Sequence, residues 1–266
     1  MTPAERHAFL CSEIAKHDHQ YFVLDAAEIS DREYDALFAQ LKTLEREHPE
    51  LVHPGSPTQR VGERPREGAL KVEHAHAMFS LDNTYSEAEL REFDRRVRDG
   101  LGAEAFAYVA EPKLDGASLE VVYRDGALAL GATRGDGRIG EDVTANVRTI
   151  RALPLSIADR RTLTLRGEVV LFKRDLVEIN RQRVADGEDA FANPRNTAAG
   201  WLRLLDSRET AKRPLRLFFY ELVEPYYPTQ HEALHAIAAM GLPTHGRGQL
   251  CTSLDEVLRY IDELDK

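Results

Sequence analysis

Two β-rich stretches, 117–124 (Ala-Ser-Leu-Glu-Val-Val-Tyr-Arg) and 127–133, flank Asp125-Gly126. An Asp-Gly pair between such runs closes a tight hairpin, because the favoured turn needs positive φ at both central residues. An antiparallel sheet is thereby set in the middle of the chain, and the rest must cover it. Residues 106–111 supply another short strand, 162–172 alternate apolar and polar side chains, and 214–222 give a further strand. Helical spacing recurs at about 173–185, 195–205, 230–240 and 254–264. The last of these opens on a capping box, Ser253 with Glu256, and gathers Leu254, Val257, Leu258, Ile261 and Leu264 on one face. An earlier helix starts at Ser86 with Glu89, turns Leu90, Phe93 and Val97 inward and ends at Gly100.

The first seventy residues read differently. Thr2 with Glu5 forms a capping box with Pro3 at the first helical position, and Leu10, Ile14, His17 and Tyr21 then share a face. Ser30 with Glu33 repeats the device, followed by Tyr34, Leu37, Phe38, Leu41 and Leu44 until Pro49 stops the helix. From Pro49 to Gly68 the chain is rich in proline and glycine, including Gly62 and Pro65, and reads as a connector. The expectation is α+β: a two-helix domain over 1–70, then a domain over 71–266 built from antiparallel sheets flanked by helices.

Hydrophobic residues make up 42% and charged ones 30% of the 266, enough apolar material for packed cores, so disorder is excluded. No apolar run approaches the ~18 residues that would span a bilayer, and the start has no signal-peptide core, so a cytoplasmic protein without a membrane partner, and a monomer, is expected. Cys11 and Cys251 stand far apart in no C-x-x-C, which argues against a disulfide framework and against a zinc site. The net charge of −10 is uneven. Residues 134–216 carry 17 basic and 12 acidic side chains, whereas both flanks are acidic. An acidic chain with an arginine-rich middle suits a phosphate pocket better than a duplex clamp.

The stretch Glu111-Pro112-Lys113-Leu114-Asp115-Gly116 joins two of the expected strands. A lysine at a strand edge beside carboxylates and a glycine is placed as a tuned nucleophile would be, although a charged surface turn has the same residues. Its company decides the matter. The chain also holds Met78-Phe79-Ser80-Leu81-Asp82-Asn83, Thr133-Arg134-Gly135-Asp136-Gly137, Gly140-Glu141-Asp142 and Asn146-Val147-Arg148-Thr149-Ile150. Arg166-Gly167-Glu168-Val169, Phe191-Ala192-Asn193-Pro194-Arg195-Asn196 and Ala198-Ala199-Gly200 follow in order. In these blocks and their order the sequence resembles the NAD-dependent bacterial DNA ligases of the nucleotidyltransferase superfamily, nearly end to end.

The resemblance implies a helical domain that binds nicotinamide mononucleotide (NMN) and an adenylation domain, with roles in DNA replication and repair. Tyr21, Asp31, Tyr34 and Asp35 match positions that grip the NMN half of NAD, so NAD rather than ATP is the implied adenylate donor. Phe22 departs from the usual His or Tyr. Lys113 is the implied nucleophile, forming a lysine–AMP phosphoramidate, with Asp115 beside it and Mg2+ (or Mn2+) assisting. An amine that ordinarily titrates near ~10.4 needs nearby cations in order to be neutral. Arg134, Arg195 and Arg203 are the implied phosphate and ribose contacts; Arg195 and Arg203, eight residues apart on one helix, are expected to point into one pocket. Glu168 is matched to a ribose or metal role, Glu111 to the adenine amino group, Ser80 and Leu81 to the wall of the adenine pocket, and Tyr220 to the ring stacked on adenine. Helix-dipole acids, surface strand acids and core aromatics are the plain readings of Asp31 and Asp35, of the two glutamates and of the tyrosines.

His74 and His76 read as surface histidines, and Trp201 replaces the small residue that follows Gly200 in the family. Related ligases continue into further lysine motifs and DNA-encircling domains. The chain is therefore expected to be an adenylation portion cut at its C-terminal end, acting on nicked duplex DNA only in a full-length context. The alternative is a non-catalytic nucleotide-binding module descended from such a ligase.

Overall fold

A computed structural model describes residues 1–22, 28–60, 68–102 and 105–264; the side chains of Tyr21, Phe22 and Asp31, and residues 61–67 with Gly62 and Pro65, lie outside that description. Helix α1 (Pro3–Phe22) starts on the expected box, Glu5 N–H donating to Thr2 Oγ1 at 3.2 Å and Thr2 N–H to Glu5 Oε2 at 2.7 Å. Helix α2 (Asp31–Glu47) is capped by Ser30 with Glu33 reciprocally. Leu10, Ile14 and Leu41 are buried between the two, with Tyr34, Leu37, Phe38 and Leu44 packed around them.

The segment after α2 is more than a connector. It makes two 3-10 turns, Pro49–Leu51 and Pro57–Gln59, and buries Ser56 and Pro57. Arg60 then reaches into the body of the molecule, its Nη1 donating to the carbonyls of Arg148, Ile150 and Leu153, the last at 2.8 Å. Arg148 answers by donating to the Pro54 and Gln59 carbonyls. The proline and glycine content marks turns correctly but carries no information about these long-range anchors.

Beyond it come β1 (Lys71–Glu73), α3 (Glu87–Leu101), β2 (Tyr108–Ala110), β3 (Ala117–Arg124), β4 (Ala127–Thr133), β5 (Ile139–Glu141), α4 (Thr144–Val147), β6 (Leu163–Val170), α5 (Lys173–Ala185), α6 (Pro194–Leu202), α7 (Ser207–Thr210), β7 (Arg216–Leu222), α8 (Gln230–Ala239), β8 (Gln249–Cys251) and α9 (Leu254–Leu264). The main sheet is antiparallel in the order β4-β3-β6-β7, with the hairpin turn at Asp125 (φ 49°) and Gly126 (φ 74°) as the sequence dictates. Two small pairs, β1 with β5 and β2 with β8, stand apart from it. Strand β8 was not foreseen, since three residues carry too little periodicity. Helix α3 departs from expectation: none of its described residues is buried, and Phe93 meets Tyr108 at the edge, with ring centroids 6.3 Å apart.

Strand alternation gives the main sheet two unlike faces. Leu119, Val121 and Tyr123 of β3 line up with Gly167, Leu165 and Leu163 of β6 over the helical core, which Trp201, Leu202 and Ile237 fill from the other side. The opposite face is polar: Ser118, Glu168 and Phe218 make one row, and Glu120, Arg166 and Glu221 the next. All eight residues of β6 are buried, so both faces are covered, where alternation alone suggested one solvated side. Trp201 is explained by the packing. It is buried, meets Phe191 edge-on at 5.4 Å and is capped by the Arg213 guanidinium at 5.1 Å, so the large ring completes the core under α6.

Candidate active site

The polar face is where the sequence's candidate residues converge. The loop 111–116 leaves β2 and enters β3 across the end of β6, and Gly116 makes the crossing possible: a Cβ there would sit 2.2 Å from the Val169 carbonyl oxygen. Glu168 fastens the loop from below, Oε1 accepting from Gly116 N–H at 3.1 Å and Oε2 from Ser118 Oγ at 2.9 Å. Burial pushes Glu168 above the usual carboxylate range, more than the hydrogen bonds from Ser118 and Gly116 and the charges of Lys113 and Arg195 pull it down. Lys113 stands exposed at the rim and makes no ion pair among the described residues. Asp115, also exposed, receives Arg195 Nη1 at 3.1 Å from the start of α6. Lys113, Asp115, Glu168 and Arg195 thus share one corner.

Tyr220 follows Phe218 onto the same face by alternation, and the bulge of β7 against β6 between Arg166 and Gly167 brings Glu221 onto it as well. It is half-buried, and burial together with Glu168 and Glu221 pushes its hydroxyl up to about 12. Gln230, at the start of α8, ties this wall to the next, its Nε2 donating to the Tyr220 carbonyl at 2.6 Å and to Glu111 Oε2 at 3.3 Å. Burial raises Glu111 as well, against that hydrogen bond. Arg134 Nη1 meets Ser80 Oγ at 3.5 Å. Leu81 is 73% exposed, and therefore does not form a closed wall with Ser80.

Two expectations are corrected. Arg203 is the C-cap of α6, outside its helical turn, and its guanidinium is paired bidentately with Glu141 at 2.5 and 2.6 Å, while Arg195 takes Asp115; the two arginines do not share a partner. His74 is not a surface histidine. It is buried, with Nδ1 2.9 Å from Glu120 and Nε2 against the Thr133 and Arg134 carbonyls. Glu120 and Arg166 continue inward, and Arg166 Nη2 donates to the carbonyls of His76 and Ala77, holding the strap that leads to Ser80. Alternation in 162–172 already pointed Arg166 to the same face as Glu168, whereas His74 and Gln230 gave no local signal.

The N-terminal candidates form a separate group. Tyr34 donates its hydroxyl to Asp18 at 2.8 Å, and Asp18 also faces Arg60 at 3.4 Å. Burial pushes Asp18 up despite both partners. Tyr34, His17, Asp18 and Ile29 line one side of a 560 Å³ cleft whose other side is Thr149, Arg151 and residues 211–216, and none of the Lys113 group belongs to it. Asp35 is exposed. The side chains of Tyr21 and Asp31 lie outside the described ones.

The site is thus a covered antiparallel sheet with a charged floor and an exposed lysine at its rim. Residues 68–266 match the family model of the NAD-dependent DNA ligase adenylation domain, and residues 1–62 that of the DNA ligase-like, N-terminal NAD+-binding domain. The chain belongs to the NAD-dependent DNA ligase family. It is 49% identical to a DNA ligase of Alkalilimnicola ehrlichii over 98% of its length, 48% to one of Solibacter usitatus over 97%, and 46% to one of Geobacter metallireducens over 98%. The chain spans about 40% of the length of each of these relatives. Among the described residues, no helix is long and apolar enough to cross a membrane.

Proposed function

We propose that this chain is the self-adenylating portion of a DNA ligase, with residues 1–70 as its NMN-binding unit and 71–266 as its adenylation unit. Nζ of Lys113, once deprotonated, forms a bond to the adenylyl phosphorus of NAD. The bond from that phosphorus to the bridging oxygen breaks, its electron pair leaves with NMN, and the nitrogen releases its second proton to give lysine–AMP. In the longer protein the adenylate passes to the 5′-phosphate at a nick in duplex DNA.

The observation that carries this reading is the corner itself: an exposed Lys113 that makes no ion pair among the described residues, on a loop pinned by Glu168 through Gly116, with Arg195 held on Asp115 of the same loop. Asp115 orients Arg195 toward the phosphate, and Arg134 lies beside Ser80 to meet the same anion. Glu168 receives a ribose hydroxyl, Tyr220 offers its ring to adenine, and Glu111 accepts from the adenine amino group with Ser80 and Leu81 beside it. Arg203 is held by Glu141 and joins the phosphate contacts only by exchanging that partner. Tyr21, Asp31, Tyr34 and Asp35 take the NMN half. Asp115 and Glu168, with their hard oxygen donors, would hold Mg2+ or Mn2+, and such an ion would supply charge neutralisation on the phosphate.

Incubation with NAD+ and Mg2+ followed by peptide mass spectrometry tests the proposal. One AMP on Lys113 is expected, absent in Lys113→Ala and absent when ATP replaces NAD+. NAD+ binding with no covalent adduct would overturn it in favour of a non-catalytic nucleotide-binding module.

A further inference from the structure

The N-terminal helical pair carries a second cluster of ligating side chains. His7 and Cys11 stand one turn apart on α1, and His53, in the segment after α2, faces His7 edge-on with ring centroids 5.4 Å apart. One donor atom from each of the three lies within 4.8 Å of the others. Behind them Glu45 is buried and fully engaged. Its Oε1 lies 2.9 Å from His7 Nε2 and accepts from Ser56 Oγ at 2.5 Å, while Oε2 accepts from Thr58 Oγ1 at 2.5 Å. A carboxylate so placed accepts a hydrogen bond from His7 Nε2–H and leaves Nδ1 with its lone pair, the arrangement that orients histidine on a metal.

We propose that His7, Cys11 and His53 form a zinc site, with Glu45 positioning His7. Cys11 Sγ is 3.8 Å from His7 Nδ1. Sγ is also 3.9 Å from Nε2, so it sits between the two ring nitrogens. Tetrahedral zinc, with bonds of about 2.3 Å to sulfur and about 2.0–2.1 Å to nitrogen, sets Sγ about 3.6 Å from Nδ1 alone, and on loading the Cys11 side chain swings toward the Nδ1 edge. A thiolate with two imidazoles selects a borderline-soft cation over Mg2+. The charges also balance: the Cys11 thiolate and the Glu45 carboxylate together match a divalent ion. His53 is exposed, so the fourth position opens to water on its side. On loading, His53 gives up the hydrogen bond its Nδ1 accepts from Gly55 N–H at 3.1 Å, on a turn where water takes its place. The site ties α1 to the segment that ends at Arg60. The ligands come from two distant segments, so cysteine spacing gives no hint of them.

Titration of the protein with Co2+ tests this directly. The expected result is one equivalent bound, with the charge-transfer absorption of a cobalt–thiolate bond, displaced by Zn2+. Cys11→Ser removes the band and Cys251→Ser keeps it. His53→Ala, on an exposed turn, weakens Co2+ binding at least tenfold, and Glu45→Gln weakens it about 10–100-fold. Replacing His231 and His235, an exposed pair 3.2 Å apart on α8, leaves binding unchanged. Absence of the band, or an affinity that His53→Ala leaves intact in a variant of unchanged helical circular dichroism, overturns the proposal. Lysine adenylation at Lys113 is read separately and bears on neither outcome.

Discussion

At the scale of single residues, Glu168 does two things that pull against each other. It fixes the Gly116 loop through two accepted hydrogen bonds, and it does so from a buried position that raises its pKa. A carboxyl whose folded-state pKa is raised contributes stability only at acid pH, and that contribution fades as pH rises through the raised value; at neutral pH the buried charge is a cost. Glu168→Gln is therefore expected to unfold in urea at pH 7 with a stability no more than about 1 kcal/mol below that of the parent. The same variant should lose Lys113 adenylation. In the parent, adenylation should fall on the acid side at a pH above the ordinary carboxylate value of ~4.3, as Glu168 and Glu111 accept protons. An acid limb at or below that value would show that neither glutamate acts ionised. Lys113, Asp115 and Glu168 were all legible in the sequence because each sits in a short, dense motif. Ser118 and Gln230 were not, since their value comes only from what β6 and β7 place beside them.

Among the elements, the segment from Pro49 to Arg60 has the most to explain. Prolines and glycines there foretell turns, and turns are present. What local pattern could not convey is that one guanidinium at the end of the segment satisfies three carbonyls of 148–153 and the buried Asp18 together. Arg60→Ala takes the guanidinium from those carbonyls and leaves Asp18 its Tyr34 hydrogen bond but not its ion pair with Arg60, and truncating one side of a buried pair costs about 3–5 kcal/mol. Hydrogen exchange should locate the damage: amides of α4 and the turn that follows, together with α1, should exchange faster, while those of β3 and β6 keep their protection. Uniform loss of protection throughout would mean that the latch holds nothing in particular. Helices α5, α8 and α9 were read to within a residue or two because their caps and stripes are local. The short β1, β5 and β8 were invisible, their pairing decided by partners far away in the chain.

Seen whole, the molecule keeps its NMN-side and lysine-side candidates apart. Tyr34 opens onto the 560 Å³ cleft against Arg151 and Arg216, and Lys113 onto the polar face of the sheet. Under the proposed function the two groups are expected to fail differently. Tyr34→Ala should raise the NAD+ concentration needed for half-maximal charging roughly tenfold, equivalent to about 1.4 kcal/mol of binding, and leave the plateau rate nearly unchanged. Substituting Arg195 should instead lower the plateau. If Tyr34→Ala leaves the NAD+ dependence untouched, the cleft has no part in holding the dinucleotide. The strand order β4-β3-β6-β7 carries a consequence of another kind, in time. Only the β3–β4 pairing is local. The partners of β6 lie on either side of it in the chain, beyond α4 in one direction and beyond α5, α6 and α7 in the other, so the loops that close the sheet are long and their closure entropy precedes any reward. The two N-terminal helices need no such wait and are expected to form before the surface that Arg60 grips.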